Sequence, residues 1–195
     1  MAFLAVDSEL VESACRGDHR ARERLMDSCL PTVLGWCLRL GGPKVDAEDA
    51  AHDVCVVVLT KLDALRDSEA FASWVYGVTR RILAKHRRRA WVQRWTGSSV
   101  PDVADDGPDP SSGLELSDLS SAVQGILERM PGKQREVLVL CDVEDRTDVE
   151  VATLLEVPVG TVKSRLRTAR QRFRQSVRGH RVEPQLIGLT TWGQG

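Results

Sequence analysis

Residues 96–118 read TGSSVPDVADDGPDPSSGLELSD, and this stretch does most to limit what the chain can fold into. Ser, Gly, Pro and Asp dominate it, so too little apolar surface is available to offset the entropy of ordering it. It divides the 195 residues into two pieces, each the size of a small domain. It is also an electrostatic boundary. From residue 96 to residue 128 there are acids and no Lys or Arg, whereas residues 80–94 carry Arg80, Arg81, Lys85, Arg87, Arg88, Arg89 and Arg94 with no acid. Residues 161–181 carry Lys163, Arg165, Arg167, Arg170, Arg172, Arg174, Arg178 and Arg181, again with no acid. The formal net charge of -1 hides this segregation. Two polyanion-facing surfaces joined by a flexible acidic connector are expected.

Both flanking pieces read as helical, and together they predict an all-α chain of two small helical domains. In the first, Leu10, Val11, Ala14 and Cys15 form a short stripe ending near Gly17. Asp18 caps a helix with Leu25, Cys29, Val33, Trp36, Cys37 and Leu40 on its core face, and Pro31 is expected to kink or split it. Asp46 opens a third helix with Ala47, Ala50, Ala51, Val54, Val58 and Leu62 on one side; the β-branched run Val54–Leu59 is read as helix because the spacing continues on both sides of it. Ser68 is expected to cap a fourth, with Phe71, Trp74, Val75, Val78 and Ile82 inward, that runs into the first basic cluster.

In the second piece, Leu119, Val123, Ile126, Leu127 and Met130 form a stripe stopped by Pro131-Gly132, and Val137, Leu138 and Cys141 belong to the next helix. Thr147 with Glu150 fits a capping box. Pro158 marks the first turn of a last helix with Val162, Leu166, Ala169, Phe173 and Val177 inward. The short break between these two makes a helix-turn-helix. The expected division is 1–95, 96–118, 119–178 and an unassigned tail, 179–195.

The last helix is the most informative. In a helix-turn-helix the first residues of the second helix enter the major groove. Thr161, Lys163, Ser164, Arg165 and Arg167 are placed there, where cationic side chains pair with guanine acceptors and a hydroxyl near the helix start meets phosphate. In the first basic cluster, Trp91 and Trp95 interleave with arginines. They either stack bases of melted DNA or anchor the core. Asp46, Glu48, Asp49 and Asp53 crowd one helix start, and Asp49 and Asp53, four apart, are expected to project toward solvent from one face. Glycine-rich phosphate loops, nucleophile elbows and paired zinc histidines are missing, and His52 with Cys55 lacks two further ligands, so neither an enzyme, a cofactor nor a metal is expected. The five cysteines are read as reduced thiols, and no segment reads as a signal peptide or membrane span, so a cytoplasmic protein is expected.

The string Leu127-Glu128-Arg129-Met130-Pro131 through Glu150-Val151-Ala152 to Val157-Pro158-Val159-Gly160-Thr161-Val162-Lys163-Ser164-Arg165-Leu166 resembles region 4 of bacterial extracytoplasmic-function sigma factors. Asp46-Ala47-Glu48-Asp49-Ala50-Ala51-His52-Asp53 resembles the polymerase-clamp helix of region 2, and Phe71-Ala72-Ser73-Trp74-Val75-Tyr76 leading into His86-Arg87-Arg88-Arg89 resembles its promoter-melting and minus-10 element. The resemblance implies that Asp49, His52 and Asp53 meet core RNA polymerase. It implies that Arg80, Arg81, Lys85 and Arg88 meet the minus-10 element, and that Thr161, Lys163, Ser164, Arg165 and Arg167 meet the minus-35 element of promoter DNA. An anti-sigma factor is the further partner it implies. A stand-alone helix-turn-helix regulator is the alternative, disfavoured by the acidic helix beside a melting element. Arg81 stands where the family often has Asn, Thr168 where Arg is common, Asp145-Arg146 for a frequent Gly-Leu, and Glu156 for a frequent Gly. The last two are read as local turn chemistry.

Overall fold

The computed structural model describes residues 4–96 and 114–178. Among these every regular element is helical: α1 Ser8–Cys15, α2 His19–Gly41, α3 Ala47–Lys61, α4 Phe71–Thr96, α5 Leu114–Arg129, α6 Gly132–Leu138, α7 Asp148–Leu155 and α8 Val159–Val177. A 3₁₀ turn, Leu62–Ala64, follows α3, and α6 runs on into a π-helical turn, Val139–Val143. The expected linker is shorter than 96–118, because Thr96 ends α4 and residues 114–118 form the first turn of α5; the rest of it and all of the tail from residue 179 lie outside the described residues.

The helix starts follow from side-chain caps. Asp7 accepts from Glu9 N–H, Asp18 from the N–H groups of Arg20 and Ala21, and Asp46 from those of Glu48 and Asp49. The bond from Ala21 is the main reason the Asp18 carboxyl is held below the usual carboxylate range. Ser68 departs from expectation. Its hydroxyl donates to Glu12 Oε1 at 3.4 Å, tying the approach to α4 back to α1, while Asp67 takes the N–H of Glu69. Pro31 does not split α2. It lies exposed, as does Asp27 one turn earlier, so the bond lost to the missing N–H falls on the side facing water.

Thr147 and Glu150 close a full capping box at α7. Bonds from the Thr147 backbone and hydroxyl lower the pKa of Glu150. Thr147→Ala is expected to cost about 1 kcal/mol in urea unfolding. A carboxyl with a lowered folded pKa stabilises above its ordinary range and loses that contribution as pH falls through the folded value. The difference between wild type and variant should therefore shrink in acid.

Asp145 and Glu156 adopt left-handed backbone, with φ of 54° and 55°. L-residues other than Asn and Asp pay for this conformation, and glycine does not. The two positions where the resembled family often has Gly are thus the two left-handed non-glycine residues among those described.

The core is continuous. Leu25, Val33, Trp36 and Leu40 of α2 pack with Ala50, Val54 and Val58 of α3 and Phe71, Val75, Tyr76 and Leu83 of α4. The same apolar cluster extends through Leu127 and Met130 of α5 and Val137 of α6 to Val151, Leu155, Val162, Leu166 and Ala169 of α7 and α8. The two helical groups are therefore packed against each other, chiefly where α2 meets α5 and α6. Within the first group Cys29 and Cys37 are buried, and burial pushes their thiols up to about 12, as it does Cys141 in the second.

Candidate nucleic-acid and protein interfaces

Helix α8 presents two sides. Val162, Leu166 and Ala169 are buried at helical spacing, which leaves Lys163, Ser164 and Arg167 exposed and Thr161 and Arg165 half-buried at the rim. The left-handed residue Glu156 swings the chain from α7 into α8, and Pro158 precedes the first turn. Arg170 is spent inside the protein. Its Nε and Nη2 donate to Asp142 at 3.0 and 2.7 Å, a bidentate pair fixing α8 to the π-helical turn. Hydrogen bonding to Asp142 raises the pKa of Arg170 further. Nothing in the sequence pairs two residues 28 apart, so this brace was missed.

Helix α4 divides the minus-10 candidates between two faces. Arg81, Lys85 and Arg88 recur at i, i+4 and i+7 and are all exposed. Arg80 lies on another side with Arg87. Its Nε donates to Glu136 of α6 at 2.6 Å, and Arg87 Nη1 donates to the carbonyl of Leu40 at 3.0 Å. Trp91 is 59% exposed, so it is no core anchor; the Trp95 side chain lies outside the described residues.

The acidic start of α3 is only partly as expected. Asp49 is exposed, but Asp53 is turned toward α4. Its carboxylate meets His86 Nε2 at 3.1 Å and Lys85 Nζ at 3.5 Å, and His86 Nδ1 lies 3.7 Å from Asp49. The His86 bond, followed by the Lys85 charge, holds Asp53 below the usual carboxylate range. His86 is only 8% exposed, and a buried polar ring needs such partners. His52 is exposed, and beside it Val56 and Leu59 are exposed apolar side chains. Asp49, His52, Val56 and Leu59 therefore form a mixed acidic and apolar ridge suited to a protein surface. Periodicity could have suggested Val56 and Leu59, since both fall off the buried stripe.

Among the described residues no group of three or more His, Cys, Asp or Glu side chains is placed to hold a metal, and no helix is long and apolar enough to cross a membrane.

The family model Sigma-70 region 2 matches residues 25–93, and Sigma-70, region 4 matches residues 120–173. Together they take in more than half of the chain, in the order in which α2–α4 and α5–α8 lie.

The chain belongs to the sigma-70 family, in its extracytoplasmic-function (ECF) group.

Among its relatives is the ECF RNA polymerase sigma factor SigW of Bacillus subtilis, 23% identical over 177 residues, covering 86% of this chain and 95% of SigW. The ECF RNA polymerase sigma factor SigD of Mycobacterium tuberculosis is 28% identical over 176 residues, covering 86% and 82%. In fold, this sigma factor is similar to the sigma factor RpoE of Bartonella quintana, solved with the anti-sigma factor NepR, at a TM-score of 0.62 and 20% identity, covering 82% of this chain and 98% of that one. In region 2 of this sigma factor, the ridge on α3 and the basic face of α4 therefore share one domain, while α8 is the second helix of the helix-turn-helix in region 4.

Proposed function

We propose that this sigma factor binds core RNA polymerase and directs it to promoters, acting without catalysis of its own in the cytoplasm. The observation that carries this reading is the pairing, in one chain, of a region 2 and a region 4 match in family order, each with an exposed basic face. Residues 1–96 would form the polymerase- and minus-10-binding domain, the shortened linker would follow, and 114–178 would form the minus-35-binding domain.

Asp49, His52 and Asp53 are assigned to the polymerase clamp. A solvent-facing carboxylate such as Asp49 repels phosphate and attracts a basic protein surface. Arg80, Arg81, Lys85 and Arg88 are assigned to the minus-10 element, where cationic groups beside exposed Trp91 suit a melted strand. Thr161, Lys163, Ser164, Arg165 and Arg167 are assigned to the minus-35 duplex. An anti-sigma factor is proposed as an antagonist, supported by the anti-sigma complex in which a sigma factor of similar fold was solved.

Footprinting of polymerase loaded with the chain tests the assignment. Protection should fall on two promoter elements, the upstream one lost with Lys163→Ala and Arg165→Ala. A lost bidentate base contact should cost about 1–3 kcal/mol and relax specificity at one position. A lost phosphate contact should weaken all sequences and lower the salt slope by roughly one unit. Alanine variants with unchanged affinity and salt dependence would remove both residues from the interface.

A further inference from the structure

Four cations of α8 recur on one side of the helix. Lys163, Arg167, Arg170 and Arg174 stand at i, i+4, i+7 and i+11, and all four line one groove of about 430 Å³. Lys163, Arg167 and Arg174 are exposed, whereas Arg170, inside the row, is half-buried. Its side chain is 30% exposed and grips both carboxylate oxygens of Asp142, whose side chain is 17% exposed.

The π-helical turn is what brings Asp142 to that row. Glu144 N–H reaches back to the Val139 carbonyl at 3.0 Å, and Val139 and Leu140 anchor the turn in the core. Such widened turns interrupt a helix at a cost and recur at functional sites. Here the turn sets a carboxylate against one cation of a row that otherwise faces outward. Charge then decides what the pair does. A free Lys or Arg that meets a phosphate releases about one counterion and strengthens binding to every sequence. A guanidinium already neutralised by a carboxylate adds no such contribution. Where base contacts are lacking, charge supplies nearly all of the affinity, so a fourth free cation in the row would favour wrong sites most.

We propose that Asp142 is a specificity residue of region 4: it neutralises Arg170 and so withholds one cation of the α8 row from phosphate. This rests on the reading of α8 as the minus-35 surface. Asp142 touches no base in this scheme; it is a positioning residue that acts through Arg170.

The test measures binding of the full chain, over a range of salt, to two fluorescein-labelled duplexes: the upstream element protected in the footprint and a scrambled copy. Asp142→Asn keeps the shape of the side chain and removes its charge. It should bind the scrambled duplex several-fold more tightly at low salt, with a salt slope steeper by about 0.9 unit, and should discriminate the two duplexes less well. Asp142→Asn with Arg170→Gln has no cation to release and should return to the wild-type slope. Asp142→Glu keeps the charge and should also retain that slope, whereas a merely loosened turn would move Asp142→Glu and Asp142→Asn alike. An unchanged slope in Asp142→Asn overturns the proposal. So does a steeper slope that survives the loss of Arg170, since the carboxylate would then act by repelling phosphate directly. Lys163→Ala separates this proposal from the α8 reading. A shallower slope with Lys163→Ala leaves that reading standing even if Asp142→Asn changes nothing; unchanged slopes in both variants remove the two together.

Discussion

Replacing Trp36 with alanine is expected to lower the unfolding free energy by about 3–5 kcal/mol, the usual range for deleting a large buried aromatic. Trp36 is fully buried on α2 and meets Tyr76 of α4 edge to face, with ring centroids 5.2 Å apart and planes at 90°. That geometry sets the positive edge of one ring against the negative face of the other and adds to simple burial. The damage should spread beyond the cavity. Tyr76 is the residue whose hydroxyl reaches Glu136, and burial, then the charge of Glu136, raises its pKa. A loosened Tyr76 should weaken the join between the two regions as well as the region 2 core. Trp36→Phe retains most of the volume and should cost distinctly less. Denaturant unfolding followed by far-UV circular dichroism checks both variants; a loss below about 1 kcal/mol for Trp36→Ala would show that the site collapses around the gap.

The second large effect is expected at the acidic start of α3, where two neighbouring carboxylates should behave differently. Asp49 has its side chain 62% exposed, so Asp49→Lys should change stability by about 0.5 kcal/mol or less. It should nevertheless weaken retention on core polymerase by roughly tenfold or more, because reversing a patch charge opposes association and register together. Asp53→Lys should do both. Its carboxylate is bonded to His86 and Lys85, and a lysine there would set a second ammonium beside Lys85 and leave His86 without its carboxylate partner. The expected stability loss is about 1–3 kcal/mol, the scale of a hydrogen bond to a charged group. Polymerase pull-down beside a thermal melt separates the two. Full retention of Asp49→Lys would refute the clamp assignment, whereas loss of retention by Asp53→Lys alone would report only on the helix.

What could be read from the sequence was local. The caps by Asp18, Asp46 and Thr147 each involve residues no more than three apart, so a short window contains cap and target. The buried faces of α2, α3 and α8 follow from helical spacing, because each helix has a single core to face. Ser68 was misread for the opposite reason: a distant acceptor, Glu12, took the hydroxyl that a local rule assigned to the next helix. The same limit hid the seam. Arg39 and Glu144 are 105 residues apart, Arg80 and Glu136 56 apart, and no periodicity connects them. Hence the sequence suggested two tethered units, while the described helices share a continuous core. For the candidate site, residue type and spacing singled out the basic faces of α4 and α8. Which cations remain available was decided by tertiary partners: Arg170 is taken by Asp142 and Arg80 by Glu136, whereas Arg81 and Lys163 stand exposed.

Run-off transcription with core RNA polymerase tests the central claim most directly, using promoter fragments from the genome that encodes this chain. The account predicts transcripts with defined start sites that require the chain, are absent with core enzyme alone, and are lost with Lys163→Ala and Arg165→Ala. No chain-dependent transcript from any fragment, together with repression of transcription by the chain bound to DNA on its own, would contradict it and favour a stand-alone regulator.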